Sequence, residues 1–401
     1  MAEILEGNAI IGQSGGPTAV INSSLAGVIE EIGNHPEIEN IYGMVHGIQG
    51  LLQEDIADLG EENIQIIKGL MHTPSSALGS CRYKVKDEDY KKILGILEKN
   101  NIRYFFYIGG NDSADTSYKI NQIAKESNYK INVIGIPKTI DNDLGLTDHC
   151  PGYGSVARFM AIATMSAGKD TEAIGVVDNV KIIEAMGRNA GWITASSVLG
   201  KKTEADAPHL IYLPERPIII DNFLQDVQKV YDKLGYAVVV VCEGVKGEGG
   251  KTLVSSGKGV DVDAFGHKQM GGVADFLCKI VAEKLKLKAR SDKPGTIQRM
   301  FMPVASNVDI NEAYLVGQEA VKAACENKSG YMVTLERVSN NPYQCKTGLA
   351  DLKEVANAER ILPDNFINKE GNFVTQEFID YAKPLIGDSL PEYVKLKLHR
   401  I

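Results

Sequence analysis

The chain repeats one pattern that constrains its fold class: a short, unbroken apolar run, a turn that contains glycine, and then a segment with apolar residues at helical spacing. The apolar runs are Asn8–Gly12, Arg103–Ile108, Asn132–Ile136, Val180–Glu184 and Tyr236–Cys242. Runs that polar residues do not interrupt indicate strands buried on both faces, as in a parallel sheet covered by helices. The pattern therefore predicts an α/β fold.

The strand signals are distributed along most of the chain, which has 401 residues. At roughly 100–200 residues per domain, this length corresponds to two or three domains. The signals extend too far for one ordinary doubly wound sheet, and we therefore predict two α/β domains. Val245–His267 is rich in Gly and Lys and is predicted to be an exposed loop. The residues after 350 are predicted to form an appended subdomain or a wrap-around tail.

Composition and charge exclude several classes of protein. The 43 basic and 52 acidic residues give a net charge of −9, which argues against a general binder of nucleic acids or anionic membranes. The longest strongly apolar run, Ala237–Cys242, is far shorter than the ~20 residues of a spanning helix. The six cysteines are scattered without a CxxC pair, as expected of reduced thiols. We therefore predict a cytoplasmic protein with no nucleic-acid and no membrane partner.

Two glycine-containing turns follow predicted strands and begin predicted helices. The glycines of Ser14-Gly15-Gly16 would let backbone N–H groups approach a ligand, and the start of a helix attracts phosphate. In Gly109-Gly110-Asn111-Asp112-Ser113, the short side chains carry oxygens that can hold a Mg²⁺-phosphate. A plain strand–helix turn also explains the first pattern, and a side-chain-capped helix start also explains the second. The first turn is not a Walker A loop, because the Gly-Lys-Ser/Thr ending is missing.

The segment Pro137-Lys138-Thr139-Ile140-Asp141-Asn142-Asp143 is the most informative part of the sequence. It places a cation, a hydroxyl and two carboxylates at the carboxyl end of a predicted strand, where open α/β sheets bind ligands. One carboxylate could accept a proton from an alcohol, while the lysine and the hydroxyl contact phosphate oxygens. A polar turn built from Asp and Asn is the alternative, but such a turn does not require this string of residues.

Charged residues near other strand ends could extend this site. The arginine of Glu184-Ala185-Met186-Gly187-Arg188 could bind a phosphate or phosphosugar through two guanidinium N–H groups. Glu243 follows another predicted strand and could accept sugar hydroxyls. Thr296-Ile297-Gln298-Arg299 and the upstream Arg290 add two more cations. Taken singly, each of these residues is also explained as a surface residue in solvent.

In this order, the motifs make the chain resemble the phosphofructokinase family from Gly12 to Ala320. The Thr-Ile-Asp-Asn-Asp string is highly specific, whereas the glycine turns are weak signals alone. The matching segments are Ser14-Gly15-Gly16, Leu78-Gly79-Ser80-Cys81-Arg82, Gly109-Gly110, Thr139-Ile140-Asp141-Asn142-Asp143, Met186-Gly187-Arg188, Glu243 and Ile297-Gln298-Arg299.

The resemblance implies two Rossmann-like three-layer α/β domains with the active site in the cleft between them. Residues 1–155 and 298–350 would form the N-terminal domain, which binds the phosphoryl donor. Residues 156–297 and 351–401 would form the C-terminal domain, which binds fructose 6-phosphate and carries the tail. The implied activity is Mg²⁺-dependent phosphoryl transfer to the 1-hydroxyl of fructose 6-phosphate, in glycolysis or gluconeogenesis.

The resemblance also implies roles for individual residues. Asp141 would be the catalytic base, and Thr139 and Asp143 would lie beside the transferred phosphoryl group and Mg²⁺. The residues implied to bind the donor phosphates are Gly15, Gly16, Arg82 and Ser113. The residues implied to bind the sugar phosphate are Thr139, Ile140, Asp141, Asp143, Met186, Gly187, Arg188, Glu243, Arg290, Thr296, Ile297, Gln298 and Arg299.

Two positions indicate the phosphoryl donor. Asp112 and Lys138 stand where family members that use ATP usually have glycine, and this pair resembles the pyrophosphate-dependent branch of the family. The Asp112 carboxylate would repel the α-phosphate of ATP, and the Lys138 ammonium would compensate the charge of pyrophosphate. We therefore predict pyrophosphate (diphosphate) as the donor, a reversible reaction, and catalytic roles for both residues.

Some positions depart from the family pattern. Asn111 stands where the family more often has Asp as a presumed Mg²⁺ ligand, although its carbonyl oxygen can still bind the ion. Thr296 replaces a histidine, and Asn179 replaces an arginine that acts across subunits in many bacterial ATP enzymes. These departures leave two alternatives open: an ATP-dependent 6-phosphofructokinase, and a non-catalytic regulatory subunit that binds sugar phosphates. Because Arg290 matches an arginine that reaches a neighbouring subunit, we expect a homodimer or homotetramer.

Overall fold

The structure is a computed structural model that describes residues 5–251, 253–254 and 272–397. The described residues form two separate sheets, both covered by helices. The strands are β1 (Gly7–Gln13), β2 (Ile38–Met44), β3 (Ile56–Asp58), β4 (Ile102–Gly109), β5 (Asn132–Pro137), β6 (Val180–Ala185), β7 (Leu210–Tyr212), β8 (Ala237–Cys242), β9 (Ala289–Asp292), β10 (Tyr331–Asn340) and β11 (Tyr343–Asp351). The α-helices are α1 (Ile21–Ile32), α2 (Gly47–Leu52), α3 (Ile64–Leu70), α4 (Asp87–Lys99), α5 (Asn111–Glu126), α6 (Tyr153–Ile174), α7 (Trp192–Ser196), α8 (Ile220–Leu234), α9 (Val273–Leu285), α10 (Asn307–Cys325), α11 (Leu352–Ala356) and α12 (Gln376–Ala382).

The first sheet contains seven strands in the order β11-β10-β5-β4-β1-β2-β3. The five central strands are parallel. β1 pairs with β2 and β4, and β5 pairs with β4 and β10. The edge strands β3 and β11 are antiparallel to their neighbours. β1 and β5 are buried along their whole length, as their unbroken apolar runs predict.

Helices cover both faces of this sheet. Leu25 of α1 and Val316 of α10 pack in the core on one face, and Ile93 of α4 and Ile120 of α5 pack on the other. A polar side chain on either face of the central strands is therefore removed from water and needs a partner, as Gln13 finds in Asn22 at 2.9 Å. This three-layer packing explains why alternation of polar and apolar residues is missing from those strands.

The second sheet is smaller and contains four parallel strands in the order β7-β8-β6-β9. Phe223 of α8 and Leu277 of α9 pack in the core on one face. Met160 of α6 and Phe378 of α12 belong to the core on the other face, so the tail contributes to this layer. The prediction of two α/β units is confirmed.

The chain crosses between the two units more than once. After β9, a 3₁₀ turn over Gly295–Arg299 returns to the first unit, where the backbone N–H of Ala19 donates to the carbonyl of Arg299 at 2.8 Å. Leu352 of α11 still packs in the core of the first sheet, before α12 packs on the second. The domain boundaries at residues 155, 298 and 351 stay predictions.

Two further expectations of the sequence analysis were an exposed loop at Val245–His267 and the lack of a membrane-spanning helix. Most of the predicted loop Val245–His267 lies outside the described residues, but Val245 itself is buried in the core of the second unit. The exposed-loop prediction is therefore wrong for its first residue. Among the described helices, none is both long enough and apolar enough to cross a membrane.

The packing of α1 against α10 depends on glycine and generates a test of stability. A Cβ atom on Gly27 would lie 2.1 Å from the carbonyl oxygen of Tyr314, too close for any side chain without a shift of backbone. We expect Gly27→Ala to lower the free energy of unfolding by about 1–3 kcal/mol, which calorimetry would detect as a lower Tm.

Gly95 in α4 offers a matched control for this substitution. A Cβ atom there would meet nothing within 4 Å, and the position is exposed. Gly95→Ala should therefore stabilise the protein by about 0.5–1 kcal/mol through its helix propensity. Equal effects of the two substitutions would contradict close packing at Gly27.

Candidate active site

The turn after β1 brings backbone close to two cationic side chains. Gly15 has a φ of +76°, and a Cβ atom there would lie 3.0 Å from Nζ of Lys138. A Cβ atom on Gly16 would lie 2.6 Å from a guanidinium nitrogen of Arg299 and 3.9 Å from one of Arg82. The hydroxyl of Ser80 donates to the carbonyl of Gly15 at 2.6 Å and fixes the turn. Glycine at position 15 suits its left-handed backbone, and a side chain at either position would displace the ends of these cationic side chains.

Lys138, at the end of β5, is the most buried of these cations. It is only 5% exposed, and its Nζ donates to the carbonyl of Gly16 at 3.1 Å. Burial, followed by the charge of Arg299, lowers the pKa of Lys138 to about 8. Burial and the charge of Arg82 likewise lower the pKa of Arg299. These cations repel one another in a site that is partly shielded from water. Such a site is suited to a multiply charged anion, because the anion removes the repulsion.

Arg299 also carries a polar atom with no hydrogen-bond partner. Its Nε is buried and makes no hydrogen bond within the described part of the chain. A buried donor left without an acceptor costs free energy, and an anionic ligand would remove that cost. This observation supports the predicted role of Arg299 in binding phosphate.

The loop after Lys138 holds the two predicted carboxylates. The hydroxyl of Thr139 donates to Oδ1 of Asp143 at 3.0 Å and accepts the backbone N–H of Asp141 at 3.0 Å. Burial, then the charges of Asp143 and Glu243, raises the pKa of Asp141 to about 7. Burial also raises the pKa of Asp143. Thr139 therefore organises this loop, and Asp141 can take up or release a proton near neutral pH.

The start of α5 lies beside this loop, since the backbone N–H of Lys138 donates to the carbonyl of Gly109 at 3.0 Å. Asp112 is exposed there, and Ser113 is buried against Gly109, where a Cβ atom would lie 2.0 Å from its hydroxyl. The side-chain oxygen of Asn111 is buried and has no hydrogen-bond partner among the described residues. Such an oxygen suits Mg²⁺, which prefers oxygen ligands.

Residues of the second sheet close the other side of the site. Gly187, which follows β6 and has a φ of +131°, donates its backbone N–H to Oε1 of Glu243 at 3.2 Å. The carbonyl of Arg188 would lie 1.8 Å from a Cβ atom on Gly244, so these two strand ends are closely packed. Both Glu243 and Arg188 contribute to the electrostatic environment of Asp141. The strand ends of the two sheets therefore meet around this carboxylate.

Two residues predicted to bind the sugar phosphate have other contacts. The side-chain oxygen of Gln298 accepts the backbone N–H of Met186 at 3.2 Å, and its amide donates to the carbonyl of Gly295 at 2.8 Å. Gln298 therefore connects the crossing turn to the strand end. The side chain of Ile140 is buried in the apolar core of the second unit.

Other predicted residues lie away from this cluster or at its surface. Arg290 projects from the edge strand β9, where its Nε lies 2.5 Å from Oδ2 of the buried Asp178. Thr296 is exposed, and Ile297 is 51% exposed. Within one chain, the partner of Arg290 is therefore Asp178.

The sequence analysis did not single out two tail residues that contact the loop of residues 138–150. The hydroxyl of Tyr381 accepts a hydrogen bond from the side-chain amide of Asn142 at 3.0 Å. The backbone N–H of Arg360 donates to the carbonyl of Asp143 at 2.8 Å. More than 200 residues separate the partners of each pair, so no local pattern could have revealed these contacts.

The pKa of Asp141 leads to a prediction about stability. Because the folded-state pKa of about 7 exceeds the ~4 of an unfolded aspartate, the stabilisation from protonation is complete below pH ~4 and is lost as the pH rises through 7. Without ligands, Asp141→Asn should therefore raise Tm by roughly 2–6 °C at pH 8, and by less at pH 5.

Asp380 provides the control, because it is an exposed aspartate of α12. Asp380→Asn should change Tm little at either pH. A lower Tm for Asp141→Asn at pH 8, or an equal gain at both values, would contradict the raised pKa.

Comparisons with known proteins identify the family of this chain. A family model described as phosphofructokinase matches residues 8–324. The pyrophosphate–fructose 6-phosphate 1-phosphotransferase of Halomonas elongata is 39% identical over 98% of this chain and 97% of its own length. The protein of the same name from Rhodospirillum rubrum is 40% identical over 99% of this chain and 98% of its own length.

A solved structure extends the similarity to three dimensions. The crystal structure of the pyrophosphate-dependent phosphofructokinase from Marinobacter aquaeolei superimposes with a TM-score of 0.87. It is 39% identical, and the match covers 97% of this chain and 94% of that chain. The family model, the relatives and the fold agree: this chain belongs to the phosphofructokinase family.

Proposed function

We propose that the chain is a pyrophosphate-dependent 6-phosphofructokinase. The reaction is reversible transfer of a phosphoryl group from pyrophosphate to the 1-hydroxyl of fructose 6-phosphate, which gives fructose 1,6-bisphosphate and phosphate. One observation carries the proposal: Lys138, Arg299 and Arg82 are grouped against the Gly15-Gly16 turn, next to the half-buried carboxylate of Asp141. The names and the nearly complete coverage of the relatives support the same activity.

Asp141 acts as the general base. Its carboxylate accepts the proton of the 1-hydroxyl as the hydroxyl oxygen attacks phosphorus, and it returns the proton in the reverse reaction. A base with a pKa near the working pH suits both directions, and burial raises the pKa of Asp141 to about 7. Thr139 fixes the loop through its two hydrogen bonds, to Asp143 and from Asp141. Positioning and charge compensation supply the remainder of the rate enhancement.

The donor pyrophosphate occupies the cationic side of the cleft. Lys138 and Arg82 neutralise its charge, and the backbone of Gly15-Gly16 approaches it without a Cβ atom in between. We reassign Arg299 from the sugar phosphate to this side of the cleft, because its guanidinium lies against Gly16. Ser113 and the start of α5 flank the same place. Lys138 lies deep in the cleft, whereas Asp112 is exposed at its mouth, where its carboxylate repels a longer polyphosphate chain.

Magnesium is the cofactor that this chemistry requires. Asn111 would hold it through its unpartnered buried oxygen, and Asp143 is the carboxylate that we assign to the same ion. When bound, Mg²⁺ neutralises phosphate charge and thereby favours the phosphoryl transfer.

The second sheet binds the sugar phosphate. Arg188 pairs with a phosphate, Glu243 accepts sugar hydroxyls, and the Met186-Gly187 backbone forms the wall of the pocket. We assign donor binding to residues 1–155 and 298–350, and sugar binding to residues 156–297 and 351–401. A cytoplasmic location accords with the six unpaired cysteines.

A comparison of phosphoryl donors tests the proposed function. With Mg²⁺ and fructose 6-phosphate, we expect kcat/KM to be at least about 100-fold higher with pyrophosphate than with ATP, because the carboxylate of Asp112 repels the nucleotide. Higher kcat/KM with ATP would favour the ATP-dependent alternative. No turnover by the homogeneous protein with either donor would favour a regulatory subunit.

Two variants of α5 test the cause of donor selection. Asp112→Ala should raise kcat/KM with ATP about 10-fold or more, because the repulsive carboxylate is removed. Asp115→Ala is the matched control, since Asp115 lies three residues later in α5 and pairs with Lys119 at 2.8 Å. The same gain in both variants would show that general surface charge, rather than Asp112, discriminates against ATP.

We also propose that the active form is a homodimer or a homotetramer. Val176 is 93% exposed and Val177 is 53% exposed, which is unusual for a pair of apolar residues in one loop. Ile174, Asp178 and Arg290 line a neighbouring cavity of about 740 Å³. A second copy on this face would bury the valines and bring Arg290 towards the sugar site of its neighbour.

A charged residue in this face should disrupt the assembly. We expect Val176→Glu to shift the protein towards a monomer in light scattering, and to raise KM for fructose 6-phosphate because Arg290 is lost from the neighbouring site. Val394→Glu is the control, since Val394 in the tail is also 93% exposed. A wild-type protein that is monomeric at assay concentrations would refute the proposal.

A further inference from the structure

Residues 138–150 are called the catalytic loop here. Asn142 lies in this loop between Asp141 and Asp143 and has an unusual backbone conformation. Its φ is +53°, in the left-handed region that L residues rarely adopt, and its side chain is completely buried. Its side-chain oxygen accepts the backbone N–H of Cys150 at 3.0 Å, and its amide donates to the hydroxyl of Tyr381 at 3.0 Å. The orientations of Asp141 and Asp143 thus depend on what holds Asn142.

The hydroxyl of Tyr381 uses its full capacity for hydrogen bonds at this point. It accepts from Asn142 at 3.0 Å and from Nη2 of Arg360 at 2.9 Å, and it donates to the carbonyl of Asp148 at 2.8 Å. A hydroxyl offers one donor and two acceptor sites, and all three are occupied. Tyr381 therefore connects the middle of the catalytic loop to the end of the same loop and to the tail.

Arg360 completes the connection from the tail side. Its backbone N–H donates to the carbonyl of Asp143 at 2.8 Å, and its guanidinium donates to the carbonyls of Thr147, at 2.8 Å, and Asp148. The guanidinium also lies over the ring of Trp192, 4.4 Å from its centroid. Nε of Arg360 is buried without a hydrogen-bond partner among the described residues, whereas its two terminal nitrogens are bonded. A buried network of this kind loses its single conformation when one hydrogen-bonded member is removed.

We propose that Tyr381 is a positioning residue for the catalytic loop: through Asn142 and Arg360, the C-terminal tail sets the orientation of Asp141 and Asp143. The inference rests on the proposed function for its kinetic consequences, but the geometry of the loop can be tested without turnover. Tyr381 contacts neither reacting group. Its loss should therefore affect the chemical step more than the binding of substrates, because misplacement of a base by about 1 Å can cost up to 10²-fold in rate.

The first test compares two tyrosines of the tail. Tyr381→Phe removes only the hydroxyl, and we expect kcat to fall about 10- to 100-fold while the KM values for fructose 6-phosphate and pyrophosphate change by less than about 3-fold. Tyr393→Phe is the matched control, because the hydroxyl of Tyr393 also makes a hydrogen bond, at 3.1 Å to the exposed Ser166. Wild-type kcat in Tyr381→Phe would overturn the inference.

A double-mutant cycle tests whether Tyr381 acts through Asn142. Asn142→Gly keeps a backbone that accepts a positive φ and removes the side chain. If both residues act through one hydrogen bond, the loss of kcat in the double variant should be close to the larger single loss, rather than the product of both. Multiplicative losses would mean that the two residues act independently, against the inference.

Amide hydrogen exchange gives the readout that does not need activity. We expect faster exchange in residues 139–150 for Tyr381→Phe than for wild type or Tyr393→Phe, with exchange in α8 unchanged. Unchanged exchange in residues 139–150 would overturn the inference. If the wild-type protein shows no activity with pyrophosphate or with ATP, only the proposed function is refuted. The exchange result then still decides whether the tail positions the loop.

Discussion

The burial of Lys138 is the constraint on which the rest of the site depends. An ammonium group removed from water needs partners, and here its hydrogen bond goes to the carbonyl of Gly16 while Asp141 and Asp143 supply opposite charge. Arg299 opposes this arrangement, because it brings a second cation to the same place. The charges are not balanced locally, and the imbalance favours an incoming phosphate.

The site around Lys138 is formed by the ends of several strands. β1, β4 and β5 are adjacent and parallel, so the turns that follow them meet at one edge of the first sheet. β6 and β8 are likewise adjacent and parallel in the second sheet, so that Gly187 and Glu243 meet after their ends. The packing of α1 against α10, and the hydrogen bond from Ala19 to the carbonyl of Arg299, then fix the segment that carries Arg299.

The sequence predicted well the features that depend on the order of apolar and polar residues within a short segment. Unbroken apolar runs identified the central strands, and polar strings after them identified the loop around Asp141, because a strand buried on both faces must end where its polar residues begin. The contacts of Gln298, the burial of Ile140 and the pairing of Arg290 with Asp178 were not predicted. Each depends on which distant segment packs beside it, and composition or spacing does not encode that choice.

Lys138 and Asp112, the two residues that we propose select the donor, differ in their structural surroundings. Lys138 is buried, its hydrogen bond holds the Gly15-Gly16 turn, and its neighbours include the carboxylates of Asp141 and Asp143. Asp112 is exposed at the start of α5. Donor choice can therefore change at residue 112 with little effect on the fold, whereas a change at residue 138 disturbs the turn and the pKa of Asp141 together. Under the proposed roles, donor selection is thus separable from catalysis at residue 112 but not at residue 138.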